Sequence, residues 1–248
     1  FQCLYKNAHG GENVETALRD SCNIFFYNCA KRLGITKMNE YASAFGLGQK
    51  TGVEIAESAG TLAGPEEREA AGGVWQSGDT IQAGIGQSDN LFTPLQLSNY
   101  CATVANGGTR YQLHLVQSLI DNSSGTVTET QPKIEESLDL HKSTLTAVKS
   151  GMRLVATQGA PSLIFNQLRT EVAAKTGTSQ VFVNGVKKNN GFLITFAPYD
   201  NPEISVASVV ELAGSGTSTA EITSSIIKYW YQNNTDEKTN QKTGALLN

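Results

Sequence analysis

The sequence predicts an α+β fold, a long helical part followed by a small antiparallel sheet, and three observations carry the prediction. Apolar residues recur at helical spacing between legible caps through the first 165 residues. Three strand-like runs with short connections fill residues 171–211, which makes them antiparallel neighbours. A last apolar stripe at helical spacing ends near residue 231.

Residues 14–20 form a first short helix. A polar junction, Ser21-Cys22-Asn23, leads into an apolar stretch from Ile24 to Leu33 closed by Gly34, where a carboxy-terminal cap would sit. Thr36 caps a further helix that runs to Phe45 and stops at Gly46. Residues 46–92 are rich in glycine and polar side chains without a sustained period and read as an irregular excursion. Thr93-Pro94-Leu95 then opens the clearest helix, with Thr as cap, Pro at the first helical position, and Leu97, Cys101 and Val104 at helical spacing before Gly107-Gly108.

Residues 111–131 read as a small hairpin around Asn122-Ser123-Ser124-Gly125. Leu145, Val148, Met152 and Val155 mark an amphipathic helix ahead of Gly159 and Pro161. The strands come next: 171–183 up to an Asn184-Gly185 turn, 191–198, and 203–211 after Tyr199-Asp200-Asn201-Pro202. In the final helix, 218–231, Ile222, Ile226 and Trp230 share the face expected to pack on the sheet. The expected domain spans residues 1–231, helical over about 1–165, with the sheet and final helix over about 166–231. Residues 232–248 are polar and aperiodic and are expected to form a mobile tail.

Composition excludes more than it assigns. A net charge of −4 with no run of Lys and Arg offers no pull toward nucleic acid or anionic lipid. No stretch approaches the roughly 20 apolar residues of a membrane span, and no signal segment opens the chain. The sequence starts at Phe1 without an initiator Met, as an excised fragment or processed product would. Cys3, Cys22, Cys29 and Cys101 have neither the paired spacing of a zinc site nor the density of a disulfide framework, and read as small buried residues. His9, His114 and His141 are scattered, so neither a metal site nor a cofactor is expected.

The chemistry-bearing pattern is Ser21-x-Asn23 at a helix junction, followed about 150 residues later by Lys175-Thr176-Gly177-Thr178 on a strand. These are the second and third of three elements used by penicillin-recognising acyl transferases, the first being Ser-x-x-Lys. An attacking serine needs a base beside it, because an unassisted hydroxyl is a weak nucleophile near neutral pH. The Ser21 hydroxyl, both donor and acceptor, can relay a proton, and Asn23 can hold a substrate amide. Lys175 supplies positive charge, the Thr176 and Thr178 hydroxyls can grip a carboxylate, and Gly177 lets substrate approach the strand.

Neither motif is specific alone. Lys-Thr-Gly also occurs at 50–52, in the Gly-rich excursion, and at 242–244, in the tail. Ser225-Ile226-Ile227-Lys228 has the letters of the nucleophile motif, but it follows the strand motif and lies on the final helix. Ser21 could also simply cap the helix after it, and Lys175 could be an ordinary strand-end charge. Asp79, Gln87 and Asp89, near a Gly-rich turn, are read as structural hydrogen-bonding groups.

Longer blocks carry a resemblance. Ala17 through Asn23 followed by Phe25-Phe26-Tyr27, then Phe45 through Gly52, Gly78-Asp79-Thr80, Ile85-Gly86-Gln87, Thr93 through Gln96, Ala105 through Gly108 and Phe196 through Tyr199 resemble the class B, high-molecular-weight penicillin-binding proteins, in family order over roughly residues 9–231. The resemblance implies the penicillin-binding-protein/serine β-lactamase-like fold, with a helical subdomain packed on an antiparallel sheet. It implies acyl transfer on peptidoglycan stem peptides ending in D-Ala-D-Ala, with β-lactams as substrate mimics. It gives catalytic roles to Ser21, Asn23 and Lys175, substrate and β-lactam contacts to Thr176, Gly177 and Thr178, and half of an oxyanion hole to the Thr178 N–H, a donor worth about 3 kcal/mol in acyl transfer.

By the same resemblance, the nucleophile and the lysine of Ser-x-x-Lys belong upstream of Phe1, with two strands of a five-stranded sheet, so that this chain is expected to be a partial, inactive domain. The partners implied are stem peptides and their lipid-linked precursor, β-lactams, the missing upstream segment and a cell-wall synthesis complex. The implied location is the extracytoplasmic face of a bacterial membrane, anchored by a segment outside this chain. Two rivals stand beside this reading: a β-lactam-hydrolysing or β-lactam-sensing relative of the same fold, and a non-catalytic binding module.

Overall fold

Side-chain caps decide where several helices begin. The computed structural model describes residues 2–3 and 9–244. Asn13 opens helix α1 (Val14–Arg19), its side chain accepting from the Thr16 N–H at 2.9 Å while Thr16 Oγ1 accepts from the Asn13 N–H at 3.1 Å. Helix α2 (Asn23–Ala44) is two helices joined at Gly34, whose φ of 74° breaks the helical path at the cap position read from the sequence. The chain forms two units: residues 1–12 with 21–147, and residues 13–20 with 148–248.

In the first unit the stretch 46–92 departs from the expected irregular excursion, since it contains α3 (Pro65–Ala70) and α4 (Ser77–Ala83). Both are too short for a period to show against their glycine-rich surroundings. Gly84 lets the end of α4 approach α2, because a Cβ there would overlap that of Ala30. Helix α5 (Pro94–Ala105) starts as predicted, with Thr93 Oγ1 accepting from the Gln96 N–H at 3.1 Å. The buried Gln96 amide then donates to Gln49 O at 2.6 Å and Ala59 O at 2.7 Å, tying the loop segments to the helix. Strands β1 (Thr109–Tyr111) and β4 (Ile134–Ser137) pair, and between them β2 (Ser118–Ile120) and β3 (Val127–Glu129) form the predicted hairpin.

The second unit holds α1, most of α6 (Lys142–Gln158), α7 (Ser162–Phe165) and a sheet of β5 (Ala173–Val183), β6 (Val186–Ala197) and β7 (Ile204–Val210). The sheet is antiparallel in the order β5-β6-β7. Asn184 and Gly185, at φ 52° and 74°, make the tight β5–β6 turn that the Asn-Gly pair signals. Helix α1 and residues 148–165 thus group with the sheet, not with helices α2 to α5. One contact explains part of this: Gly151 of α6 has no Cβ, and one placed there would lie 2.6 Å from Leu18 Cδ1 of α1.

The core of this unit is built from Val155, Ala156, Phe165, Val172, Ala174, Leu193, Ala197, Val206, Ala220 and Ile227. A 3-10 turn (Gly216–Thr219) leads from the sheet into α8 (Ala220–Gly244). The buried face of α8 carries Ala220, Thr223 and Ile227, whereas Ile222 and Ile226 are 49% and 42% exposed, so the predicted face is corrected. Thr223 can face inward because its hydroxyl is satisfied, by Thr219 O at 3.2 Å and Ser208 Oγ at 2.8 Å. The helix also continues past Tyr231 to Gly244, where a tail was expected; no Gly or Pro interrupts residues 232–243. The last four tail residues, 245–248, lie outside the described residues, as does Phe1.

Candidate active site

Lys175 to Thr178 lie consecutively near the start of β5, which pairs with β6 alone among the described residues and so presents an open backbone edge. In the ladder Lys175 is opposite Ile194, Thr176 opposite Leu193, Gly177 opposite Phe192 and Thr178 opposite Gly191. Lys175, Thr176 and Gly177 are half-buried and Thr178 is exposed. The Lys175 ammonium donates to Thr176 O at 2.7 Å. Surrounding protein desolvates it and pulls its pKa from the usual 10.5 to about 8, although the residue as a whole keeps some solvent surface. At neutral pH it remains mostly cationic, a charge held where water screens it poorly.

Ser21 and Asn23 belong to the other unit, at the point where the chain leaves α1 and begins α2. Ser21 has φ 50°, an uncommon left-handed conformation for a residue with a side chain. The amino cap of α2 is Cys22, so the simple capping role open to Ser21 in the sequence is not the one it has. Asn23, the first helical residue, donates from its side chain to Gln2 O at 3.4 Å.

The competing motif matches have other places. Thr51 and Gly52, of the first Lys-Thr-Gly, bind the Glu57 carboxylate through the Thr51 N–H and hydroxyl at 2.9 and 2.8 Å and the Gly52 N–H at 2.8 Å, a closed turn. The third Lys-Thr-Gly lies on the helical backbone of α8. Ser225 is exposed on α8 and donates to Glu221 O at 2.8 Å, one helical turn back. Asp79 and Asp89 both pair with Arg68, at 3.4 and 2.6 Å, and Arg68 also lies over the Trp75 ring, which accounts for their structural reading.

One cluster was not legible in the sequence. Cys3, His9 and Cys22 bring ligand atoms within 4.8 Å of one another, and a Glu12 carboxylate oxygen lies 3.7 Å from His9 Nδ1. Burial pushes the Cys22 thiol up, so it is protonated unless a cation stabilises its thiolate. Two thiols, an imidazole and a carboxylate are a donor set suited to Zn2+. His9, read in the sequence as too scattered for a metal site, thus lies beside two cysteines in the fold. The separations 3, 9 and 22 match no ligand spacing, and only folding brings these residues together.

Residues 4–228 match the family described as penicillin binding protein transpeptidase domain. The chain belongs to this family of transpeptidase domains. It is similar to peptidoglycan D,D-transpeptidase MrdA of Escherichia coli, 32% identical over 93% of this chain and 39% of that protein, and to penicillin-binding protein 2A of Bacillus subtilis, 32% identical over 81% of this chain and 31% of that one. It thus spans well under half the length of these curated relatives. Among solved structures, this transpeptidase-family chain resembles Pseudomonas aeruginosa PBP2 in complex with WCK 5153, at TM-score 0.80 and 27% identity, covering 93% of this chain and 51% of that one. It resembles equally, at TM-score 0.80 and 25% identity, the PBP2 of Helicobacter pylori solved with MreC, covering 94% and 42%. The three-stranded antiparallel sheet and its helices are the part of the penicillin-binding-protein fold that this chain carries.

Proposed function

We propose that the protein carrying this chain is a peptidoglycan D,D-transpeptidase, a serine enzyme that transfers the acyl group of stem peptides ending in D-Ala-D-Ala and is acylated by β-lactams as their mimics. The observation that carries the reading is the desolvated Lys175 cation beside Thr176, Gly177 and Thr178 on an open strand edge. An extended peptide can lie along such an edge, its terminal carboxylate facing Lys175 and the threonine hydroxyls. The Thr178 N–H donates to the oxyanion, Ser21 relays the proton to the departing amine, and Asn23 holds the substrate amide.

The nucleophile comes from outside residues 1–248. The sole Ser-x-x-Lys in the sequence is Ser225 to Lys228, whose hydroxyl is committed to a helix carbonyl on the exposed side of α8. Lipid-linked precursor and stem peptides are the substrates, an MreC-like protein or a peptidoglycan synthase complex is the class of partner, and the site works on the extracytoplasmic side of a membrane. The supports are a relative named for D,D-transpeptidase activity and relatives solved with MreC and within a peptidoglycan synthase complex.

Fluorescent penicillin tests the reading. The full-length protein is expected to form a slowly decaying acyl-enzyme, and Lys175→Ala to slow its formation by about 10²-fold. Rapid turnover of the antibiotic would point to a hydrolase and sink the proposal, and so would undiminished labelling of the Lys175 variant.

A further inference from the structure

The segment joining β7 to α8 lies directly on the backbone of the Lys175 strand. The Leu212 N–H donates to Asn190 Oδ1 at 3.0 Å and the Gly214 N–H to Asn189 O at 3.1 Å, which ties the segment to β6. Two glycines then let it settle. A Cβ at Gly191 of β6 would overlap Ser215 O, and a Cβ at Gly216 would overlap Phe192 O and lie 2.5 Å from Gly177 O and 2.8 Å from Gly177 N. Gly177 and Phe192 are ladder partners, so Gly216 rests across the β5–β6 rung in the middle of the motif.

What Gly216 supplies is space, since its φ is not in the left-handed range. Its carbonyl is held in turn by Thr219 Oγ1, which donates to it at 2.7 Å, and the Ser218 hydroxyl donates to Ala213 O at 3.0 Å. The segment is thus a fixed strap, anchored on β6 and pressed against Gly177. Phe192 lies in the central strand, held by β5 and β7, whereas β5 is held from one side only among the described residues. A side chain at Gly216 therefore displaces the strap and β5 before it displaces β6.

The geometry points to Gly216 as a positioning residue for acyl transfer, setting where Lys175 and Thr178 stand by buttressing Gly177, an inference that rests on the transpeptidase reading. Gly216 touches neither substrate nor reacting atoms. It acts through the Gly177 backbone, two residues from the Lys175 charge and one from the Thr178 N–H. Acyl transfer is sensitive to such placement, because a misplacement of about 1 Å can cost about 10²-fold in rate.

The experiment measures acylation of the full-length protein by fluorescent penicillin and separates two quantities: the fraction of molecules labelled at the end point, and the rate constant at saturating penicillin. A purely structural residue changes the first, with the melting temperature, and leaves the rate constant of the folded fraction alone. Gly216→Ala is expected to lower that rate constant by about 10²-fold. Thr223→Val, which disturbs the same buried layer through Ser208 and Thr219 without touching Gly216, is expected to lower the melting temperature and keep the rate constant.

If Gly216→Ala does not fold, Thr219→Val, which frees the Gly216 carbonyl, has to slow acylation several-fold more than Thr223→Val at a matched loss of melting temperature. An unchanged rate constant in Gly216→Ala, or equal effects of the two threonine variants, overturns the inference while leaving the transpeptidase reading intact. Failure of the unsubstituted protein to be labelled overturns both.

Discussion

Lys175 carries a charge that its surroundings disfavour, and this gives pH opposite effects on stability and activity. Its pKa stands at about 8 in the folded protein against an ordinary 10.5, through desolvation. Below pH 8 the lysine is protonated in both folded and unfolded chains, and folding bears the full cost of burying the charge. Between pH 8 and 10.5 the folded form loses its proton first, the cost is relieved, and this residue's contribution to stability rises. In the proposed mechanism acylation uses the cation, so its rate is expected to fall along an alkaline limb centred near pH 8. A pH–rate profile with fluorescent penicillin checks this, and a rate that holds level to pH 10 would contradict it.

Cys22 presents a different residue-scale case, because it sits between Ser21 and Asn23 while its thiol faces Cys3 and His9. Zn2+ bound there would anchor the start of α2. The full-length protein is expected to retain about one Zn2+ per chain through purification, and Cys22→Ser to lose it, with a lower melting temperature on chelation only in the unsubstituted protein. Elemental analysis with thermal unfolding decides this, and equal metal content in both proteins would be the contrary result. The motif letters around Ser21 were legible, but the cluster was not, because the chain separations of Cys3, His9 and Cys22 match no ligand spacing.

At the scale of elements, the local chemistry was the most readable part. Thr93 with Gln96 caps α5, Gly34 breaks α2 and Asn184-Gly185 turns β5 into β6, each through groups within a few residues of one another. The inward face of α8 was read wrongly, because hydrophobicity counted Ile222 and Ile226 and overlooked Thr223. Ile227→Ala is expected to cost about 2–5 kcal/mol, as for a fully buried aliphatic side chain. Ile222→Ala, half exposed on the other side, is expected to change stability by no more than about 0.5 kcal/mol. Denaturant unfolding of the two variants separates them, and similar losses would restore the face predicted from the sequence.

On the scale of the whole molecule, the residues proposed for acyl transfer fall in two units, Ser21 and Asn23 in one and Lys175 to Thr178 in the other. Its one Ser-x-x-Lys match, at Ser225, is a helix-surface serine. The 248-residue chain alone is therefore expected not to react with fluorescent penicillin, and Ser225→Ala to leave labelling of the full-length protein unchanged. Gel fluorescence reads both, and covalent labelling of the isolated chain would overturn the assignment of the nucleophile to another segment.

By itself the sequence determined the family, the α+β class, the three strands and which of three Lys-Thr-Gly matches lies on a strand, because order, spacing and caps are local or one-dimensional properties. Tertiary structure alone decided which face of α8 is buried, that α1 groups with the sheet, that Cys3, His9 and Cys22 meet, and that Gly216 presses on Gly177. Each of these joins residues distant along the chain, and such contacts depend on backbone paths and close packing that no local pattern encodes.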